Sequence, residues 1–365
     1  MTRGCAWTLG RRPGLDGMRG LAVLLVLIGH SGFHAVHTAG RVGVTVFFAL
    51  SGFLITALLL QELTSTERVD LRHFYVRRAL RLMPALVVFL ASMILVTLLS
   101  DKSTAPSWED YLGALYYVAN YVISMRGHDN VIGHTWSLSV EEQFYIVWPV
   151  ILVLVLRHGR RGRVVRLATV AVVGSLVAVT LRFALWDGGD GWRRVYYGTD
   201  TRMDGLLWGC LLAILMSHRA PGRNRRGVAL ACLGVIMGLS LGRGGVEHLV
   251  VPMLVPLLTV GAIWAMTQQP GSGLLTNRQL RYLGRRSYGL YLWHFPLFGA
   301  AATLPMPARW IGLLVAAALS ILIAELSWRC IEEPFQQLGR RNFSQSDASP
   351  EQNLSEGLAG TRASV

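Results

Sequence analysis

A histidine in the middle of an apolar run is the first residue in this chain that could do chemistry. His30 stands in Leu-Val-Leu-Ile-Gly-His-Ser-Gly-Phe, residues 25–33, and an ionisable side chain held inside a span is costly to keep there. Imidazole accepts and returns a proton near neutral pH, so general base catalysis is the chemistry such a residue suggests. Arg19 lies 11 residues earlier. That is close to three helical turns and a rise of ~16 Å, so the two side chains face the same way on one helix. Two adjacent carboxylates, Glu141 and Glu142, follow Trp136 in the stretch Trp-Ser-Leu-Ser-Val-Glu-Glu-Gln-Phe-Tyr. At 1.5 Å per residue Glu141 lies ~7 Å along its helix from Trp136, and His30 ~9 Å below the outer end of its own span. These matched depths predict that Glu141 orients the His30 imidazole and stabilises its charged form.

Three arginines, Arg77, Arg78 and Arg81, crowd the start of a later span. Arg78 and Arg81 share a face at i, i+3, and Arg77 and Arg81 at i, i+4. Guanidinium groups pair bidentately with phosphoryl oxygens, so the cluster reads either as membrane anchoring or as a phosphate site. Ser51 and Gly52 would let two helices approach closely. Tyr288, Tyr291 and His294 fall at i, i+3 and i+6 of one helix, with His294 too deep to be an interfacial anchor. Arg202 and Asp204 open another helix, where they could form a local ion pair. Trp136, Glu142, Ser51, Arg202, Asp204, Tyr288, Tyr291 and His294 are the residues expected to contact a substrate, and Ser51, Tyr288 and Tyr291 are also hydroxyl candidates for holding an oxyanion.

The elements that must position these groups are membrane helices. The 365 residues are 52% hydrophobic and only 15% charged, against about 25% charged in a soluble domain. The net charge of +14 comes almost wholly from arginine, and on so oily a chain it does not suit a nucleic-acid-binding domain. Four cysteines without Cys-x-x-Cys spacing indicate neither a zinc site nor a disulfide framework. Apolar runs at 20–36, 41–61, 83–99, 138–156, 165–186, 203–217, 227–242, 249–267, 286–304 and 310–328 predict an all-α integral membrane bundle of about ten transmembrane helices. With that count, 26 basic residues fall in segments on one side and 8 on the other, so both termini are expected in the cytoplasm. Counting 110–124 as a crossing would scatter the clusters, so it is expected to lie at the interface. Residues 1–13 read as a cytoplasmic segment and 339–365 as a polar, disordered tail. No second folded domain is expected.

Arg-x10-His at Arg19 and His30, Phe-Phe-x-x-Ser-Gly-Phe at residues 47–53, Arg-x-x-Arg at Arg78 and Arg81, the 136–145 stretch and Ser-Tyr-Gly-Leu-Tyr-Leu-Trp-His-Phe-Pro at 287–296 together resemble the acyltransferase 3 family of integral membrane acyltransferases. The resemblance covers roughly residues 14–338. It implies transfer of an acyl group, often acetyl from acetyl-CoA, to a hydroxyl of a carbohydrate, a cell-envelope glycan or a secondary metabolite such as a macrolide. It carries the family's catalytic histidine onto His30, its acidic residue onto Glu141, its first-helix basic residue onto Arg19 and its CoA-associated pair onto Arg78 and Arg81, with Arg77 beside them. No metal is implied. The partners would be the plasma-membrane bilayer, acyl-CoA and the acceptor. The rival from another class is a multi-pass transporter or flippase that uses the same His, Arg and Glu as a relay.

Overall fold

The computed structural model describes residues 12–99, 105–127, 130–157, 159, 162–187, 191–217, 225–242, 247–268 and 274–344. Residues 1–11 with Cys5, the basic residues Lys102, Arg160, Arg161, Arg219, Arg223 and Arg243, and the segment 345–365 lie outside the described residues. The described chain is helical, with no strand. Its helices are α1 (Pro13–Gly29), α2 (His37–Thr66), α3 (Leu71–Leu99), α4 (Trp108–Leu115), α5 (Ala119–Arg126), α6 (Trp136–Arg157), α7 (Arg163–Ala184) and α8 (Trp192–Tyr197). They continue as α9 (Thr199–Met216), α10 (Arg226–Ser240), α11 (Glu247–Thr267), α12 (Arg278–Arg285), α13 (Ser287–Ala302), α14 (Ala308–Ser327) and α15 (Glu333–Ser344). A π-helical turn over Trp328–Glu332 joins α14 to α15.

Among the described residues six helical stretches are long and apolar enough to cross a membrane: His34–Thr66, Leu71–Leu99, Gly133–Arg157, Arg163–Ala184, His248–Thr267 and Ala308–Arg340. The chain is thus a multi-pass membrane protein, six of whose ten expected runs form helices that meet both the length and the hydropathy of a span. The other four expected runs are also helices. However, α1, α10 and α13 have only 17, 15 and 16 residues, and α9 carries Asp200, Arg202 and Asp204 in its first turns. The physical reason is position in the bundle. Most of α1 and α9 is buried, and a helix enclosed by protein need match neither the thickness nor the polarity of the lipid. Segment 110–124 forms two eight-residue helices, α4 and α5, too short to cross, with Trp108 and Tyr116 exposed as interfacial residues are. The tail expected from residue 339 begins as helix, since α15 runs to Ser344.

Pro13 starts α1 in the position where its missing N–H costs nothing. The helix stops at Gly29, earlier than the apolar run suggests: the backbone leaves helical geometry at His30, with a ψ of 9°, and Gly32 follows with a left-handed φ of 77°. Close glycine contacts then set the bundle. A Cβ on Gly52 would lie 1.8 Å from the Leu206 carbonyl oxygen, and one on Gly209 would lie 2.1 Å from that of Ala49. Helices α2 and α9 therefore meet backbone to backbone, as the Ser51-Gly52 pair suggested. A Cβ on Gly29 would lie 2.1 Å from the Gly40 nitrogen, so the end of α1 is pinned to the start of α2. This contact holds His30 in place.

Candidate active site

Helices α1, α2, α3, α6 and α13 surround a cavity with about 980 Å³ of empty space up to its open mouth. Its apolar wall comes mainly from α2, and its polar groups are Arg19, Ser51, Arg78, Arg81, Ser137, Glu141, Glu142, Tyr145, Ser287, Tyr288 and Tyr291. Eight of the expected site residues thus meet in one place: Arg19, Ser51, Arg78, Arg81, Glu141, Glu142, Tyr288 and Tyr291.

Three successive residues of α6 reach three different neighbours, because each step turns the helix by about 100°. Glu141 accepts a hydrogen bond from Ser51 Oγ of α2 at 3.1 Å. Glu142 receives Arg78 of α3, whose Nε lies 3.0 and 2.9 Å from its two oxygens. Gln143 donates to the Tyr117 carbonyl at 2.8 Å and to Asn120 Oδ1 at 2.9 Å. The Arg78 guanidinium also lies 3.3 Å from the centre of the Tyr145 ring, a cation–π contact. Arg78 is therefore fully engaged inside the protein and ties α3 to α6. Arg77 is not in the cavity: its side chain is 48% exposed and 3.8 Å from Glu62. The expected pair of Arg78 and Arg81 is thus divided, with Arg78 ion-paired to Glu142. Among the described residues Arg19 and Arg81, both lining the cavity, form no ion pair or hydrogen bond.

If Arg78 is structural, Glu142→Leu should lower the unfolding free energy by on the order of 3 kcal/mol, because one partner of a largely buried pair is left uncompensated. A melting curve in detergent reads this directly, and an unchanged midpoint would return Arg78 to the free cations of the cavity.

The structure does not bring His30 and Glu141 together. Equal depth requires a helix running on to residue 36, whereas α1 ends at Gly29 and His30 caps it. His30 instead meets α13. Its Nδ1 lies 2.8 Å from the Val26 carbonyl oxygen and 3.3 Å from His294 Nε2. The ring packs edge-on against Phe295 at 5.0 Å. His294 is fully buried, and its own Nδ1 faces the Tyr291 and Leu290 carbonyl oxygens at 2.7 and 3.1 Å. The acceptors dictate the tautomers. Both rings carry hydrogen on Nδ1, and His30 Nε2 is left as an open lone pair on a half-buried ring. That is the state a general base requires.

Two further residues complete the two ends of the site, His134 beside the histidines and Tyr145 in the cavity. His134 Nε2 donates to the Leu292 carbonyl at 3.1 Å and its ring stacks on Phe295 at 4.8 Å. Tyr145 lies one helical turn from Glu141 and Glu142 on the same helix. The three hydroxyls considered for an oxyanion already donate elsewhere: Ser51 to Glu141, Tyr288 to the Leu82 carbonyl at 2.8 Å and Tyr291 to the His134 carbonyl at 2.9 Å.

Arg202, Asp204 and Trp136 stand apart from the cavity lining. Asp204 pairs with Arg182 of α7 at 2.5 Å rather than with Arg202, since residues two apart on a helix do not face each other. Arg202, 2% exposed, donates to Thr45 Oγ1 at 3.1 Å. Its guanidinium lies 5.2 Å from the Tyr196 ring centre, 5.6 Å from that of Phe48 and 5.9 Å from that of Trp136. These groups link α2, α6, α7, α8 and α9. Among the described residues no group of His, Cys, Asp and Glu could hold a metal ion.

Comparison with known proteins bears on what such a cavity does. The family model described as an acyltransferase domain matches residues 12–329. The putative peptidoglycan O-acetyltransferase YrhL of Bacillus subtilis is 34% identical, over 91% of this chain and 56% of its own length. The peptidoglycan O-acetyltransferase OatA of Listeria monocytogenes is 31% identical, over 91% of this chain and 57% of its own length. The O-acetyltransferase OatA of Staphylococcus aureus is 30% identical, over 91% and 58%. The chain therefore spans little more than half the length of these relatives. No solved structure matches.

Proposed function

The chain belongs to the acyltransferase domain family, and from that premise we propose that it is an O-acetyltransferase of the plasma membrane, moving acetyl from acetyl-CoA to a hydroxyl of a cell-wall glycan. The observation that carries this reading is a division of labour along α1. Arg19 lines the cavity with Arg81, and among the described residues neither makes a hydrogen bond or ion pair, though the charge of each reaches Glu332. His30, about 16 Å further along the helix, offers an open imidazole nitrogen. The arginines suit the phosphates of the donor, and the fit rests on those unpaired guanidinium groups. The extended pantetheine arm then carries the thioester along α1, past Tyr291, towards His30.

In the reaction the acceptor oxygen attacks the thioester carbonyl while its proton passes to His30 Nε2. The C–S bond breaks as the ester C–O bond forms, and the departing thiolate takes that proton. General base assistance of this kind contributes roughly 10²–10⁴-fold. The basic clusters support ten spans with both termini cytoplasmic, which puts Arg19 and Arg81 on the side where acyl-CoA is made. Among acceptors, the names of the relatives favour a peptidoglycan-like glycan over a macrolide.

The test is chemical. Membranes containing the chain, given acetyl-labelled acetyl-CoA, should place label on glycan in an ester that mild alkali removes. Movement of a glycan or lipid across the membrane without acetyl-CoA turnover would point instead to a flippase.

A further inference from the structure

His294 is a buried titratable group that the proposed reaction does not use. It belongs to α13, yet the one side chain its Nε2 meets is His30 of α1, at 3.3 Å. Its other nitrogen is committed, because Nδ1–H donates to the Tyr291 carbonyl at 2.7 Å and the Leu290 carbonyl at 3.1 Å. Nε2 is thus a lone pair aimed at the Nδ1–H of His30. That hydrogen is shared: the Val26 carbonyl oxygen lies at 2.8 Å from Nδ1 and also receives the His30 backbone N–H at 3.1 Å, so His294 is its second acceptor. A neutral imidazole nitrogen is a stronger proton acceptor than such a carbonyl. Among the described residues no carboxylate forms an ion pair or hydrogen bond with either ring.

We propose that His294 is the positioning residue of the acetyl transfer, taking the part at His30 that a carboxylate takes in other acid–base sites. Its Nε2 accepts the Nδ1–H of His30 and holds the ring with Nε2 turned outward. When the acceptor's proton arrives at His30 Nε2, the resulting imidazolium shares its positive charge with His294 through that bond. The Nδ1–H stays on His30, and the proton on Nε2 goes to the departing thiolate, so His294 begins and ends the cycle neutral. Tyr291 couples this device to the cavity, because its ring lines the cavity while its carbonyl oxygen fixes the His294 tautomer.

This inference rests on His30 being the base, and the variants separate the two claims. His294→Gln keeps an acceptor oxygen at about the reach of Nε2, whereas His294→Phe keeps a ring of similar size with no acceptor. Purified full-length chain is assayed with labelled acetyl-CoA and a glycan fragment as acceptor, with the KM for acetyl-CoA measured in parallel. The expected result is a fall of about 10²-fold in kcat for the Phe variant, an unchanged KM for acetyl-CoA, and recovery to within about tenfold of wild type in the Gln variant. Should the Phe variant not insert, His294→Met replaces it, since a thioether is a poor acceptor. Phe or Met retaining wild-type kcat, or Gln no better than they are, overturns the proposal. A His30→Ala chain with full activity would sink the underlying reading instead, whatever the His294 variants do.

Discussion

His30→Ala should abolish acetyl transfer, a loss on the order of 10³-fold or more, while the protein still inserts and still binds acetyl-CoA. The size follows from the role. Without a base the acceptor must attack as a neutral alcohol, and the general base contribution of roughly 10²–10⁴ is lost together with the positioning of the hydroxyl. The packing around the site supports survival of the fold. His30 lies beyond the last turn of α1, and the contact that joins α1 to α2 is made by Gly29 and Gly40, not by the imidazole. Initial rates with labelled acetyl-CoA check the loss, and a detergent melting curve checks the fold. Full activity in the alanine variant would remove His30 from the chemistry.

The second large effect belongs to the other end of the cavity. Replacing Arg19 and Arg81 together by Gln should raise the KM for acetyl-CoA by on the order of 10²–10³-fold with a much smaller change in kcat. Each charge-assisted hydrogen bond to a phosphate is worth about 1.5–3 kcal/mol, and among the described residues the two arginines make no hydrogen bond or ion pair that their loss would break. Arg77→Ala is the matched control. It removes a neighbouring cation whose side chain is 48% exposed and faces Glu62, so acetyl-CoA dependence should stay as in wild type. Equal effects from Arg77 and from the Arg19 and Arg81 pair would mean that general positive charge, not a site, governs donor affinity.

These residues also show where sequence reasoning reached and where it stopped. The helical class, the close approach at Gly52 and the gathering of Arg19, Ser51, Arg78, Arg81, Glu141, Glu142, Tyr288 and Tyr291 were all legible, because apolar runs and motif spacing are local properties. Partnerships were not. Glu141 and Glu142 are neighbours in the chain, yet one turns to Ser51 and the other to Arg78, and only the placement of α2 and α3 decides which. The pairing of His30 with Glu141 failed because α1 ends at Gly29, short of the end of the apolar run. Its replacement, His294, had been noticed for its depth but not as a partner, since 264 residues separate the two histidines. The span count suffered from the opposite problem. Enclosed helices such as α1 and α9 escape the length and charge rules that lipid imposes, so hydropathy marks them poorly in either direction.

The central claim is that the cavity holds the donor by its phosphates at Arg19 and Arg81, while the proton transfer is performed separately at His30, beyond the cavity lining and further along α1. The most direct measurement is binding of labelled acetyl-CoA to the His30→Ala chain in lipid nanodiscs, with turnover followed in the same sample. The prediction is binding as tight as wild type with no acetyl reaching the acceptor. Loss of binding in that variant, or turnover at the wild-type rate, would contradict it.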